Sequence, residues 1–249
     1  MDVDNLNNAT EEYQLYAVGY RGWYIEYIEN PSEAVQLVAV KQGKYYAICY
    51  IKNPSEAVQL AAVKQRGDSI SFIKNPSEAV QLAAVKKIGW SIRYIEDPSE
   101  AVQLAAVERR GWSVIKWIKN PSEAAQLASV EKNPSNIRYI KNPCQAVQLA
   151  SVEKNPSNIR YIKNPSEAAQ LAAVRDSVEY IKYVRNPSEA VQLEAIRRAD
   201  TGWAIRWTRN PSEAAQLAAV EKDPSNIKYI KNPCQAVKDF LLVMETMNE

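Results

Sequence analysis

Apolar positions along this chain fall into two alternating blocks. The longer one places Ala, Val or Ala, Leu, Ala, Ala and Val around a single polar Gln, as in PSEAVQLAAVK. The shorter one has the core I-x-[YFW]-I, as in ISFIK, IRYIE, IKWIK and IRYIK. No period-two alternation runs through either block, and the Ala-Gln-Leu-Ala core is strongly helix-forming. The pattern therefore predicts two helices per block pair, a longer A and a shorter B, and no strands. Helix A is apolar nearly all round, so it is expected to be buried on most faces.

The blocks are separated by Asn-Pro or Asp-Pro pairs, which signal helix starts. Asn can accept from the first free amides at the N-cap, and Pro at the first helical position loses no bond. A Glu three residues later completes a capping-box-like pattern. The pairs open helix A at Asn30, Asn53, Asn75, Asp97, Asn120, Asn142, Asn164, Asn186, Asn210 and Asn232. Their spacings are 23, 22, 22, 23, 22, 22, 22, 24 and 22, and Asn8 opens a degraded copy, NATEEYQLYAV. A fixed period of this size marks stacked supersecondary units, each burying its apolar face on its neighbours. The fold class expected is all-α: an α-solenoid of about eleven short two-helix repeats. It forms a single repeat domain over 1–249, with repeats at 8–237, an N-terminal extension at 1–7 and a C-terminal capping helix at 238–249.

The A–B joint takes several forms. Gly43, Gly67, Gly89, Gly111 and Gly202 occupy it in some repeats, where glycine is expected to supply a helix C-cap conformation. Asn133-Pro134, Asn155-Pro156 and Asp223-Pro224 occupy it in others and read as starts for helix B. In KNPSNIRYIKNP, residues 132–143, one short helix thus lies between two breaks. The repeat from Asn164 has neither form; Asp176-Ser177 is expected to cap its second helix, with one continuous helix as the rival reading.

Composition narrows the chemistry. Of 249 residues, 46% are hydrophobic and 24% charged, a globular balance, and the net charge is +2. Three widely spaced cysteines, Cys49, Cys144 and Cys234, argue against a disulfide framework and suit a cytoplasmic, reducing compartment. No apolar run approaches the roughly 20 residues of a membrane span. Histidine is absent, which removes His-based acid–base chemistry, triads and metal ligation together. Seven glycines leave no room for a phosphate-binding loop. The recurring Glu33, Glu56, Glu78, Glu100, Glu123, Glu167, Glu189 and Glu213 sit at helix starts and match the dipole. No enzyme, cofactor or metal is expected.

NPSEAVQLAAV followed by I-x-[YFW]-I resembles a short tandem two-helix repeat family of unknown function, found in bacterial and in phage or large-virus proteins. The resemblance spans Asn8 to Val237. It implies an interaction module, with a phage- or virus-encoded inhibitor of a host protein as one form, and carries over no catalytic residue.

The candidate site lies on helix B. Two apolar residues three apart point inward, which leaves x and the aromatic on the outer half. Position x is Glu26, Cys49 and Ser71, then basic without a break: Arg93, Lys116, Arg138, Arg160, Lys182, Arg206 and Lys228. Lys52, Lys74, Lys119, Lys141, Lys163, Arg185, Arg209 and Lys231 end most B segments and form a second basic column. The aromatic column includes Trp117, Tyr139, Tyr161, Tyr183 and Trp207. A further group, Trp23, Trp90, Trp112 and Trp203, follows the joint glycine. As a ligand face, the ladder suits an extended acidic protein partner. The alternative is a nucleic acid held without sequence preference, since x hardly varies beyond Arg and Lys. The purely structural reading has cations matching helix dipoles and aromatics packing between B helices. For the Trp group, exposure on a rim competes with folding over the top of its own repeat. At the C-terminus, Phe240, Leu241, Leu242, Val243, Met244 and Met247 are expected to close the core, with self-pairing as the competing role.

Overall fold

The computed structural model describes residues 5–42, 46–109 and 113–247. All regular structure there is helical, and consecutive repeats pack neighbour on neighbour, as in an α-solenoid. The chain divides into two compact units, one ending at Ala128 and the other starting at Ser129. The N-terminal unit holds α1 (Glu11–Tyr20), α2 (Glu33–Lys41), α3 (Glu56–Gln65), α4 (Glu78–Lys87) and α5 (Glu100–Glu108). The boundary falls within α6 (Glu123–Lys132). The C-terminal unit continues with α7 (Gln145–Lys154), α8 (Glu167–Asp176), α9 (Glu189–Arg198), α10 (Glu213–Lys222) and α11 (Gln235–Met247).

The short B segments are 3₁₀-helices, for example Gly67–Phe72, Gly89–Tyr94, Pro134–Tyr139 and Pro156–Tyr161. A 3₁₀-helix has three residues per turn, so positions i and i+3 lie one above the other. The I-x-[YFW]-I core needs this geometry: Ile137 and Ile140 both turn inward and are buried, while Arg138 and Tyr139 stay exposed. In the repeat from Asn164 the two helices are separate, α8 ending at Asp176 and a 3₁₀-helix running Val178–Tyr183. Ser177 is the N-cap there but makes no side-chain capping bond.

Helix A starts two residues later than the Asn-Pro signal suggests. Its N-cap is the following serine: Ser55 Oγ accepts from the Val58 amide at 3.4 Å, and Ser77, Ser99, Ser166 and Ser188 repeat the arrangement. Pro is therefore outside the helix, and its carbonyl is put to another use. Gln59 Nε2 donates to the Pro54 carbonyl at 3.0 Å, and nine of the ten glutamines in this position make that bond to the proline five residues back. The same side chain also ties repeats together. Gln148 Oε1 accepts from the Ser166 amide at 2.7 Å, and Gln103, Gln192 and Gln216 reach Ser122, Ser212 and Cys234 in the same way. The expected capping role of Glu is also modified. In the N-terminal unit Glu11, Glu33, Glu56 and Glu78 accept from the Ser32, Ser55, Ser77 and Ser99 hydroxyls of the next repeat. At the joints the Asn-Pro reading holds: Asn133, Asn155 and Asp223 cap 3₁₀-helices with Pro at the first helical positions.

Glycine at the joint serves close approach more than backbone conformation. Gly202 alone among the described glycines has a left-handed φ, 70°. At Gly67 a Cβ would lie 2.6 Å from the Ala84 carbonyl of the next α-helix, and at Gly89 it would lie 2.9 Å from that of Ala106. Gly43 and Gly111 lie outside the described residues.

The A helices are less enclosed than their composition suggests. In α3, Val58, Ala62 and Val63 are buried against the 3₁₀ layer, Leu60 and Ala61 are half-buried, and Ala57 is exposed. A two-layer stack covers only one side of each layer, so alanine accounts for part of the surface. At the C-terminus α11 runs unbroken from Gln235 to Met247 as an extension of the last A helix. Phe240 and Leu241 pack on the core around Val220 and Val237, whereas Leu242, Val243 and Met247 remain exposed. At the other end Leu6, inside the polar N-terminal extension, is fully buried.

Candidate interaction face

The 3₁₀ layer presents the cation column as expected: Arg93, Lys116, Arg138, Arg160, Lys182, Arg206 and Lys228 are all exposed. Each cation lies over the ring that follows it in sequence. The distances to the ring centroid are 5.3 Å for Arg93–Tyr94, 4.5 Å for Lys116–Trp117, 5.0 Å for Arg160–Tyr161 and 4.3 Å for Arg206–Trp207. Three cations also reach the ring of the next repeat: Arg93 over Trp117 at 5.9 Å, Arg138 over Tyr161 at 4.8 Å and Lys182 over Trp207 at 5.6 Å. Trp117 and Trp207 are half-buried, while Tyr139, Tyr161 and Tyr183 are about two-fifths exposed. The rings thus serve the stack and the surface together, since they join successive repeats and still leave an edge to solvent.

The positive charge is left largely uncompensated. Among the described residues Lys182 is the one member of the seven with a carboxylate partner, Glu179 at 3.2 Å. The second column, Lys52, Lys74, Lys119, Lys141, Lys163, Arg185, Arg209 and Lys231, is likewise exposed. Five ladder cations lie in the C-terminal unit. In the N-terminal unit the column begins with Glu26, Cys49 and Ser71 and turns basic only at Arg93.

Trp23, Trp90 and Trp203 are half-buried, and each packs on the aromatic four residues on in its own repeat. Centroid distances are 5.9 Å for Trp23–Tyr27, 6.1 Å for Trp90–Tyr94 and 4.8 Å for Trp203–Trp207. Arg206 lies over both Trp203 and Trp207. These indoles widen the aromatic row rather than forming a rim of their own. Trp112 lies outside the described residues. Where PSN replaces the Gly-Trp pair, the buried Asn takes up polar bonds: Asn136 and Asn158 donate to Ser129 Oγ and Ser151 Oγ at 2.9 and 3.1 Å. The pairing of LAS with PSN in the same repeats was the available sequence signal for it.

A second cluster escaped the sequence reading. Tyr46 donates to Asp68 at 2.7 Å, and Arg66 donates to the Tyr46 oxygen at 2.5 Å while its guanidinium lies 4.1 Å over the Tyr46 ring. The bond to Asp68 holds the Tyr46 phenol above its ordinary value. Tyr46 and Asp68 are 22 residues apart, one period, which is the signal that could have linked them. Partial desolvation pushes the thiol of Cys49, an exposed residue, up. Among the described residues no group of three potential ligands converges as a metal site would require. No helix there is long and apolar enough to cross a membrane. No protein-family model, curated protein or solved structure matches this chain.

Proposed function

We propose that the protein is a non-enzymatic repeat scaffold that binds an extended acidic segment of a partner protein along its 3₁₀ face, chiefly in the C-terminal unit. The observation that carries this reading is the pairing of cations with rings. A base would have to displace a guanidinium or ammonium group to stack on Tyr161 or Trp207. A carboxylate needs only the outward N–H edges of the same cations, of which Lys182 alone has an acidic partner among the described residues. The rings desolvate and orient these groups, an arrangement favoured in protein interfaces rich in Arg, Tyr and Trp. The finer reading, a phage- or virus-encoded inhibitor of a host protein, rests on the repeat resemblance alone.

The test compares labelled poly-glutamate with single- and double-stranded DNA and RNA across a salt series, using the full chain. The control changes Arg138, Arg160, Lys182 and Arg206 together to Gln. Binding of the acidic peptide that disappears in this variant supports the proposal. Nucleic-acid binding that is tighter, falls steeply with salt and disappears in the same variant would replace it with the nucleic-acid reading.

A further inference from the structure

We propose a second docking surface, on the α-helical side of the N-terminal unit, whose occupant is an amphipathic helix of a partner protein with an acidic flank. It is separate from the 3₁₀ face, and its existence does not depend on the reading of that face.

Leu37, Leu60 and Leu82 recur once per repeat and are only half-buried, and Ala57 and Ala79 between them are exposed. Open grooves follow the seams between adjacent helices, one of about 420 Å³ between α2 and α3 and one of about 580 Å³ between α3 and α4. The second is floored by Leu60, Ala79, Leu82 and Ala83 and rimmed by Lys64 and Lys86. Small side chains on the floor let another helix backbone come close, and leucines on either side provide the ridges it would pack between. A groove between two parallel helices is itself the shape that receives a third.

Charge decides which helix fits. Lys41, Lys64, Lys86 and Lys87 are exposed at the C-terminal ends of α2, α3 and α4, and none has a carboxylate partner among the described residues. At the opposite ends of these helices Glu33, Glu56 and Glu78 are already engaged by the serine hydroxyls of the next repeats. Those carboxylates keep their charge but line neither groove, so the charge on the groove rims is the positive charge of the lysines. In the C-terminal unit the positions of Lys41, Lys64 and Lys86 hold Glu131, Glu153 and Glu221, or Arg175 and Arg197, which pair with Glu194. One residue further on, at the position of Lys87, Lys154 donates to the Glu131 carbonyl, Arg198 to that of Arg175, and Lys222 to those of Arg197 and Ala199. Glu194, at the position held by Ala61 and Ala83, is gripped by Arg175, Arg197 and Arg198. An apolar groove with unengaged lysines on its rim is thus a property of the N-terminal unit. Its complement is a helix with an apolar stripe and carboxylates beside it.

The probe is a fluorescein-labelled designed helical peptide of about 18 residues, with leucines at i, i+3, i+4 and i+7 and glutamates flanking them. A lysine-flanked twin serves as comparison, and anisotropy is read with the full chain. The glutamate peptide is expected to bind and the lysine peptide to fail. Leu82→Glu should weaken binding by about tenfold or more, as for a central apolar anchor. The surface double variant Lys64→Gln/Lys86→Gln, which leaves the fold intact, should weaken it several-fold and flatten its salt dependence. The Arg138, Arg160, Lys182 and Arg206 to Gln variant should bind the peptide unchanged. Equal binding of both peptides would overturn the proposal, as would indifference to the Lys64/Lys86 variant or loss only in the ladder variant. Recruitment to phosphatidylserine vesicles through Lys64 and Lys86, with no peptide binding, would reassign the face to a lipid surface.

Discussion

The guanidinium of Arg138 lies 4.8 Å from the ring centroid of Tyr161, in the next repeat along the chain. The two side chains are 23 positions apart in sequence, and their contact couples neighbouring repeats through exposed groups. Cation–π pairs at exposed sites contribute roughly 0.5–1 kcal/mol. A double-mutant cycle with Arg138→Gln and Tyr161→Leu, followed by urea unfolding, should return a coupling energy of about that size. Strict additivity of the two single changes would show that the pair does not join the repeats.

The glutamine ladder makes a sharper stability prediction. Gln148 bridges the Pro143 carbonyl and the Ser166 amide, whereas Gln170 reaches the Pro165 carbonyl but its buried Oε1 has no hydrogen-bond partner. Gln148→Leu should cost about 1–3 kcal/mol, because it leaves a donor and an acceptor unmet. Gln170→Leu removes one bond together with an orphaned oxygen, and should cost about 1 kcal/mol less. Chemical denaturation of the two variants side by side checks the order, and a larger loss at Gln170 would contradict it.

Two glycines should respond in opposite directions. Gly67→Ala would place a Cβ 2.6 Å from the Ala84 carbonyl oxygen, a backbone atom that can yield only if the repeats part. A loss of roughly 1–3 kcal/mol is expected. Gly19 lies in the last turn of α1 with its nearest neighbour at 3.8 Å, so Gly19→Ala meets no obstacle and gains helix propensity. A gain of about 0.5–1 kcal/mol is expected there. Thermal melts of both variants should shift to opposite sides of the parent.

Asp223 supplies the pH dependence. Its carboxylate accepts from the Ser225 amide at 2.9 Å, and that bond holds it below the ordinary carboxylate range. A depressed folded value means that its contribution is present above the unfolded value, near pH 4, and is lost as pH falls through the folded one. Protection of the Ser225 amide, measured as its exchange rate relative to the intrinsic rate at each pH, should therefore fall on acidification through that window. Asp223→Asn should remove this response, since Asn133 and Asn155 make the same capping bond without titrating. An unchanged acid profile in Asp223→Asn would assign the response to another group.

Much of this molecule could be read from one dimension because its order is local and repeated. The period, the two helices per repeat, the all-helical character of the described residues and the outward placement of Arg138 and Tyr139 follow from residue spacing. A 22-residue unit repeats its own instructions, and I-x-[YFW]-I can turn only one pair of residues inward. Tertiary packing decided what lies between repeats. It moved the N-cap of helix A from Asn53 to Ser55, because the Pro54 carbonyl is taken by Gln59 and Ser55 can serve both its own helix and Glu33. It placed glycine where a neighbouring carbonyl leaves no room for a Cβ. It set Trp23, Trp90 and Trp203 against rings of their own repeats, and it left Leu60 and Leu82 half open although their helices are apolar nearly all round. In each case the deciding partner belongs to another segment of the folded chain, and the order of residues within one helix does not specify how closely the next will approach.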